Sequence, residues 1–429
     1  MHNRLVRSIA LTAVLAAALA GCASGAGAGG TGSDPNNADQ VEILTWWTDG
    51  SDDLGNAALQ STFRQQFPKR ELIDSSVKGN GGANARKAIA FRIDADNPPD
   101  SFLAHNGAEL VAYAKAGSLQ DLTSFYESGD LASVIPASLV QSVTVDGKIY
   151  GVPINVHRAN VVWASTSVLE AAGVRTNIPP VSIDEWLGNL EQVRASGLKY
   201  PLALGDVSTQ VQLFENVLLA DLGPDGYLGL WSGDTAWDDP RVATAVDHYG
   251  KLLEYANPDH DSLDWMQATS LVMTTFAAYT VMPDWAAGSF RQHGFTYGTE
   301  YFSFATPGTD GLFDYFADSF TLPVGAAHDD AARDWLTSVA SADGQLTFSQ
   351  AVGSIPARND LDLTSFGEYQ QKSIAAFANS RVVPSLAQGA VASPTWLAAI
   401  TMAIGDFDDN RKAGALSTAL VAAAAAELQ

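Results

Sequence analysis

The sequence predicts an α/β fold, and three observations carry that prediction. β-rich runs and helical spacings alternate along the first third of the chain, which places helices over the faces of a parallel sheet. Hydrophobic residues make up 46% and charged residues 17% of the chain, a globular balance and not a disordered one. Its 429 residues are enough for two domains, each with its own core.

The first segment reads as an address and not as structure. Arg4 and Arg7 precede an apolar run, Ile9 to Ala20, too short to span a bilayer as a helix, so residues 1–21 form a secretory signal. The run closes Leu19-Ala20-Gly21-Cys22, and Cys22 is the only cysteine of the chain. This resembles a bacterial lipobox, which implies that Cys22 is lipidated and becomes the first mature residue. An ordinary signal peptide with a chance cysteine is the alternative. Against it, the sole cysteine falls at the one position the pattern demands. The implied location is the outer face of the cytoplasmic membrane, reached through a lipid anchor. Residues 22–40 are mostly Gly, Ala, Ser, Asn and Asp and read as a flexible tether.

The elements then follow in order. Val41 to Trp47 is a strand closed by Asp49-Gly50, and Asp52 to Phe67 has helical spacing that stops at Pro68. Glu71 to Val77 is a strand, Ala83 to Ala95 a helix, Asp100 to Leu103 a strand, and Ala108 to Ala116 a helix ended by Gly117. Val145-Asp146-Gly147-Lys148 is a hairpin turn. Beyond it the pattern is mostly helical. Ser182 to Glu185 is a capping box, and further helices are expected at 207–221, 240–256, 263–275 and 327–350. β-like segments return at 276–282, 301–304 and 313–323, and 394–429 is helical and Ala-rich. There is no repeat and no further apolar run that reads as a transmembrane segment.

Charge and motifs exclude several functions. With 24 basic and 48 acidic residues the net charge is −24, and it becomes −26 without the two arginines of residues 1–21. Phosphate backbones would repel such a chain, so no nucleic-acid partner is expected. Ser75-Ser76-Val77-Lys78 has the Ser-x-x-Lys spacing of penicillin-binding enzymes, but it ends a strand and no Lys-Thr-Gly follows. Gly79-Asn80-Gly81-Gly82-Ala83-Asn84 lacks the third glycine of a dinucleotide loop. Its strand–loop–helix setting still offers free N–H groups to an oxygen-rich ligand. Seven scattered histidines form no His-x-x-x-His, and one cysteine gives neither a disulfide nor a cysteine-based zinc site. No metal, cofactor or catalytic residue is therefore expected, and nothing compels an enzyme.

A family resemblance runs through the mature chain. Its residues are Trp46-Trp47, Gly79–Arg86, Asn97–His105, Val152–Arg158, Leu263–Trp265, Met282–Gly288, Ala317–Phe320, Gly353–Arg358 and Ser385–Ala390. In that order they resemble an extracellular sugar-binding lipoprotein of an ABC transporter, solute-binding protein family 1, close to its glucose/mannose-binding members. The resemblance implies a two-lobe periplasmic-binding-protein-like fold, with a ligand cleft between lobes joined by hinge crossings near 150–155, 313–319 and 352–357. It places lobe 1 at 41–153 and 319–354, and lobe 2 at 154–318 and 355–429. It further implies a monomer whose partners are a sugar and the permease subunits of the transporter.

Sugar chemistry narrows the site. A pyranose has apolar C–H faces and a rim of hydroxyls, so a site needs aromatic plates and polar groups around them. Trp46 and Trp47 end the first strand, the ligand edge of an open α/β sheet, and should face opposite ways, one to the cleft and one to the core. The resemblance puts Trp265 on the sugar face, ahead of Trp285, with helix packing the competing reading for each. Asp318 at a crossing would accept from two hydroxyls. His105, Asn155, His157, Gly81, Gly82 and Gln388 complete the expected substrate-binding set, with Asp52 chosen over Asp53. A helix N-cap is the competing reading of Asp52. Relatives carry polar groups where this chain has Leu103 and Val352, which puts glucose itself in doubt. An exported carbohydrate-active enzyme such as a glycosidase is the alternative function, and a surface receptor or adhesin a third.

Overall fold

The computed structural model describes residues 33–428. The signal segment and Cys22 lie outside the described residues. The first strand forms at Gln40–Leu44 and pairs in parallel with Glu71–Asp74 and Ser101–His105. Helices Gly50–Gln66, Ala83–Asp94 and Ala108–Lys115 follow those strands as their spacing predicts. This first sheet is mixed, however, and not purely parallel. Asp318–Thr321 lies antiparallel beside Ser101–His105, and Val152–Pro153 antiparallel beside that. Both added strands belong to chain passing between sheets, where no crossover helix enforces a parallel direction.

The hairpin turns at Asp146 and Gly147, both at positive φ (51° and 78°), as a type I′ turn requires. Beyond it the chain is mostly helical, as expected, and the β-like segments expected at 276–282, 301–304 and 313–323 carry the strands Tyr279–Val281, Tyr301–Ala305, Leu312–Phe316 and Asp318–Thr321. Two four-stranded sheets follow, the second in the order Tyr301–Ala305, Val161–Ser165, Tyr279–Val281, Leu202–Ala203, and the third Ile355–Pro356, Asn155–Arg158, Leu312–Phe316, Arg381–Pro384. Two of these strands, Leu202–Ala203 and Ile355–Pro356, have only two residues, too few for alternation to register against the helices around them.

Three expected helices differ in extent. Val207–Ser232 continues past 221, interrupted at Gly223 (φ 66°), because Pro224 disfavours a helical residue before it. The stretch 327–350 is two helices, Asp329–Ala340 and Ala342–Val352. Extended Ser341 divides them, and its hydroxyl accepts from Gly344 N at 3.0 Å. The Ala-rich end is likewise two helices, Pro394–Asn410 and Ala413–Glu427, parted at Arg411 (φ 55°).

Two large cores result. One gathers Trp47, Phe63, Phe320, Trp335 and Phe348 around the first sheet. The other gathers Trp186, Phe214, Tyr249 and Trp396 around the second and third sheets and their helices. The molecule therefore has two lobes. The chain crosses between them at Ile154, which separates Val152–Pro153 from Asn155–Arg158, and at Ala317, which separates Leu312–Phe316 from Asp318–Thr321. A third passage is Gly353 (φ 100°), between Ala342–Val352, which packs on Gly50–Gln66, and Ile355–Pro356 of the third sheet. Passages of one or two residues are short enough to act as hinges without unpairing either sheet.

Candidate functional site

The crossings put polar side chains at the junction of the lobes. Asp318 opens its strand immediately after Ala317 and is 2% exposed. Asn155, just past the first crossing, grips it twice: Asn155 Nδ2 donates to Asp318 Oδ2 at 2.8 Å, and Asn155 Oδ1 accepts from Asp318 N at 2.9 Å. His105 Nε2 lies 3.2 Å from Asp318 Oδ1, and His157 Nε2 lies 3.3 Å from Oδ2. Burial works against charge on Asp318, but these two histidines hold its carboxyl well below the usual carboxylate range. A buried, ionised acceptor at the hinge is thus built in.

Each histidine is set by a further partner. Arg86 donates to His105 Nδ1 at 3.0 Å, and since arginine only donates, the His105 proton sits on Nε2 toward Asp318. Glu109 accepts from Arg86 Nε at 3.0 Å and completes that relay. His157 Nδ1 bonds Asp284. Burial disfavours charge on His157, yet Asp284 and Asp318 on either side raise it to about 10. Asn155 Nδ2, 2.8 Å from His157 Nε2, donates there only when that nitrogen is bare. Protonation of Nε2 and donation from Asn155 exclude each other; with His157 raised to about 10, Nε2 carries its proton toward Asp318 Oδ2, and Asn155 Nδ2 donates to Asp318 alone.

Aromatic rings surround the acid. Trp46 is half-buried and meets His105 edge-on at 5.0 Å, with the Arg86 guanidinium 4.3 Å from its centroid. Trp47 is 3% exposed and packs on Phe320 and Phe348 at 5.6 and 4.6 Å. Trp46 faces the cavity and Trp47 is anchored mainly in the core; both stand beyond the strand, which ends at Leu44 and not at Trp47 as expected, so strand alternation does not account for the division. Trp265 is the first residue of its helix. A complete capping box fixes it there, with Asp264 and Gln267 each accepting from the other's backbone N at 2.8 Å. Its ring meets Trp285 at 5.8 Å and 67°. Trp285 also packs on Phe316 and His157, and its Nε1 is buried without a partner among the described residues.

One cavity, about 970 Å³ with the solvent at its mouth included, brings these groups together. Of the expected residues, Trp46, Trp47, Asp52, Gly81, Gly82, His105, His157, Trp265, Trp285, Asp318 and Gln388 line it. Asn155 does not; it is fully buried behind Asp318 and positions that carboxylate. Asp52 sits in the first turn of Gly50–Gln66 and does not cap it, since Asp49 holds the N-cap position. Burial raises Asp52 to about 7; His157 pulls against this, and Asp318, Asp284 and Asp49 add to it. Asp53 is exposed and outside the cavity. Leu103 and Val352 are also outside it, fully buried in the first-lobe core, so their apolar side chains remove no hydrogen bond from the cleft.

The sequence reading missed Asp206, Ser208, Thr209 and Gln212, which line the cavity from the start of Val207–Ser232. Asp206 caps that helix through Ser208 N at 3.1 Å, a signal present in Gly205-Asp206-Val207-Ser208. Missed too was Asp284, inside a stretch singled out for its tryptophan. The lobes meet closely at the cavity mouth. A Cβ on Gly81 (φ 53°) would come within 3.0 Å of Ser208 Cβ, and one on Gly50 (φ 58°) within 2.8 Å of Trp265. Only glycine allows that approach at those dihedrals.

The family described as bacterial extracellular solute-binding protein matches residues 48–346. The chain belongs to that family. An ABC transporter extracellular-binding protein of Pyrococcus horikoshii is 31% identical over 91% of this chain and 89% of its own. A probable sugar-binding periplasmic protein of Mesorhizobium japonicum is 31% identical over 83% and 85%. Among solved structures, a chitin oligosaccharide binding protein superposes with a TM-score of 0.80 at 19% identity, covering 91% of this chain and 98% of that one. As an extracellular solute-binding protein, the chain has no helix among its described residues long and apolar enough to cross a membrane.

Proposed function

We propose that this solute-binding protein is the sugar-capturing component of an ABC transporter. It holds a mono- or small oligosaccharide in the cleft and delivers it unchanged to permease subunits. One observation carries the reading: the ionised, nearly inaccessible Asp318 stands at the hinge among the rings of Trp46, Trp265 and Trp285. A carboxylate accepts from two adjacent hydroxyls while aromatic rings cover C–H faces, which is the chemistry a pyranose asks for. Trp285 Nε1 offers a donor that has no partner among the described residues. The names of the Mesorhizobium and chitin-oligosaccharide relatives favour a sugar over other solutes.

Lobe 1 is assigned to 41–153 and 319–354 and lobe 2 to 154–318 and 355–429, with Asp318 itself paired into the first sheet. The lipid at Cys22 would keep this acidic body at the outer face of the cytoplasmic membrane, as a monomer and without enzymatic activity. A thermal-shift screen against mono- and disaccharides, followed by calorimetry, tests the reading. A ligand at a hundredfold excess over its Kd stabilises by about 2.7 kcal/mol, well within reach of the assay. Recovery of the sugar intact separates this function from a glycosidase. Absence of any sugar-dependent shift, or cleavage of the sugar, overturns it.

A further inference from the structure

The second-lobe wall of the cleft draws on three segments, and a pair of acids lies buried where they join. Thr209 and Gln212 reach the cavity from the helix Val207–Ser232, Phe316 from the strand Leu312–Phe316, and Ala387 and Gln388 from the turn after Arg381–Pro384. Glu215 stands less than one helical turn beyond Gln212, and Asp314 stands shortly before Phe316 on its strand. Both acids are fully buried, and neither lines the cavity.

Their surroundings are unequal. The Glu215 carboxylate accepts from four donors at 2.5–3.0 Å: the backbone N–H of Leu386 and of Ala387, the Ser385 hydroxyl and the Tyr227 hydroxyl. No donor among the described residues reaches either oxygen of Asp314, whose carboxyl meets that of Glu215 instead. An ionised carboxylate accepts and cannot donate, so two ionised groups in that contact would repel without water to screen them. One proton between them turns the contact into a hydrogen bond. Because the surrounding donors all point at Glu215, the proton belongs on Asp314, which then donates to Glu215. Burial and the facing Glu215 push Asp314 far above the ordinary carboxylate range; burial raises Glu215 too, and its four donors pull it back. The other titratable groups facing the pair are Tyr227 and, on the adjacent strand Asn155–Arg158, Arg158. Arg158 donates to Asn160 Oδ1 and Leu312 O, at 2.9 and 3.2 Å, and not to Asp314.

We propose that Asp314 and Glu215 share a single proton, carried by Asp314, and that the pair positions the second-lobe wall of the cleft. Glu215 pins Leu386 and Ala387, Asp314 pins Glu215, and the strand carrying Asp314 runs on through Phe316 to the crossing at Ala317. The proton thereby fastens the turn bearing Gln388 and the helix bearing Gln212 to the chain that leads into the hinge. At the cavity itself the same two segments meet again, where Gln388 Nε2 donates to Gln212 Oε1 at 3.2 Å. The sequence hides the pair because its members and their donors come from three distant segments with no spacing to read.

The test uses the full chain and two isosteric substitutions. It needs no sugar, so its failure is distinguishable from a failure of the proposed function. In Asp314→Asn the amide keeps a donor toward Glu215 and removes the proton; in Glu215→Gln an amide N–H₂ is set among donors. At pH 8, where ordinary carboxyls are ionised, the parent should show the infrared carbonyl band of a protonated carboxylic acid, and Asp314→Asn should lack it. A carboxyl that stays protonated in the folded chain lowers stability as pH rises above its unfolded value of about 3.9. Asp314→Asn should therefore melt above the parent by a margin that widens from pH 5 to 8, past the value near 7 where the Asp52 contribution levels. Glu215→Gln should melt below the parent and exchange the Leu386 and Ala387 amide hydrogens at least ~10-fold faster. In Asp314→Asn those amides should stay as protected as in the parent. No acid band in the parent at pH 8, an Asp314→Asn chain less stable than the parent there, or parent-like protection of both amides in folded Glu215→Gln would each overturn the proposal. Should Glu215→Gln fail to fold, the band and the melts of Asp314→Asn decide the outcome alone.

Discussion

Replacing Asp318 with asparagine keeps the side-chain shape and removes the charge on which the proposed cleft turns. The carboxylate sits between His105, His157 and Asn155 at 2.8–3.3 Å, and those histidines hold it ionised despite its burial. A hydrogen bond to a charged acceptor contributes about 1.5–3 kcal/mol, against about 0.5–1.5 for a neutral one. Asp318→Asn should therefore lose about 1–2 kcal/mol of sugar binding, roughly 5- to 30-fold in Kd. Asp318→Ala should lose at least ~10-fold and also unfold more readily, by about 3–5 kcal/mol, because it strands two buried histidines and an amide. That stability loss differs from a simple cleft residue, and it follows from the ion network.

The pH dependence has a definite sign. A carboxyl depressed in the folded state adds stability above its unfolded value of about 3.9, and that stability is lost as pH falls through and below it. Asp318→Asn lacks this component, so its Tm should fall less than that of the parent between pH 5 and 3. Calorimetry with the sugar found in the screen, beside thermal melts across pH, measures both effects. A folded Asp318→Asn with unchanged affinity would refute the reasoning.

Trp265 is only partly buried, so Trp265→Ala should leave Tm nearly unchanged while weakening sugar binding. Losing about 60 Å² of apolar contact at ~25 cal/mol per Å² is ~1.5 kcal/mol, or ~10-fold in Kd; a large Tm loss at full affinity would return this ring to the core. Asp52, raised to about 7 chiefly by burial, binds more protons folded than unfolded between about pH 4 and 7, so it lowers stability increasingly as pH rises across that window. Asp52→Asn should raise the sugar-free Tm by an amount that grows from pH 4 to 7 and then levels; a pH-independent difference would show that Asp52 keeps an ordinary pKa. In sugar titrations the parent affinity should fall below pH 7, as Asp52 protonates and stops accepting, and the Asn variant should lack that step. Cys22→Ser should release the chain from membranes into a detergent-free soluble fraction, and membrane retention equal to the parent would rule out a lipid anchor there.

Much of the cavity lining was legible in the sequence, through the family resemblance and because several of its members sit where elements start or stop. Trp46 follows the first strand, His105 ends the third, and Gly81 and Gly82 open a helix, positions that alternation and turn residues mark locally. The α/β class was legible for the same reason: periodicities of 2 and 3.6 are properties of adjacent residues. Three strands of the two extra sheets were legible as β-like segments, but their shortest partners were not, since strands such as Ile355–Pro356 exist only through the partners they meet. Nor could sequence separate Leu103 in the core from His105 in the cleft, although they lie two apart on one strand; the packing around each decided that. Asp284 was hidden behind Trp285, and Asn155 turned from ligand contact to support, because both roles depend on Asp318 and His157 arriving from other segments. Local sequence determines which residues end an element, whereas the charge state of a buried carboxylate is set by whatever the tertiary structure places within a few ångströms of it.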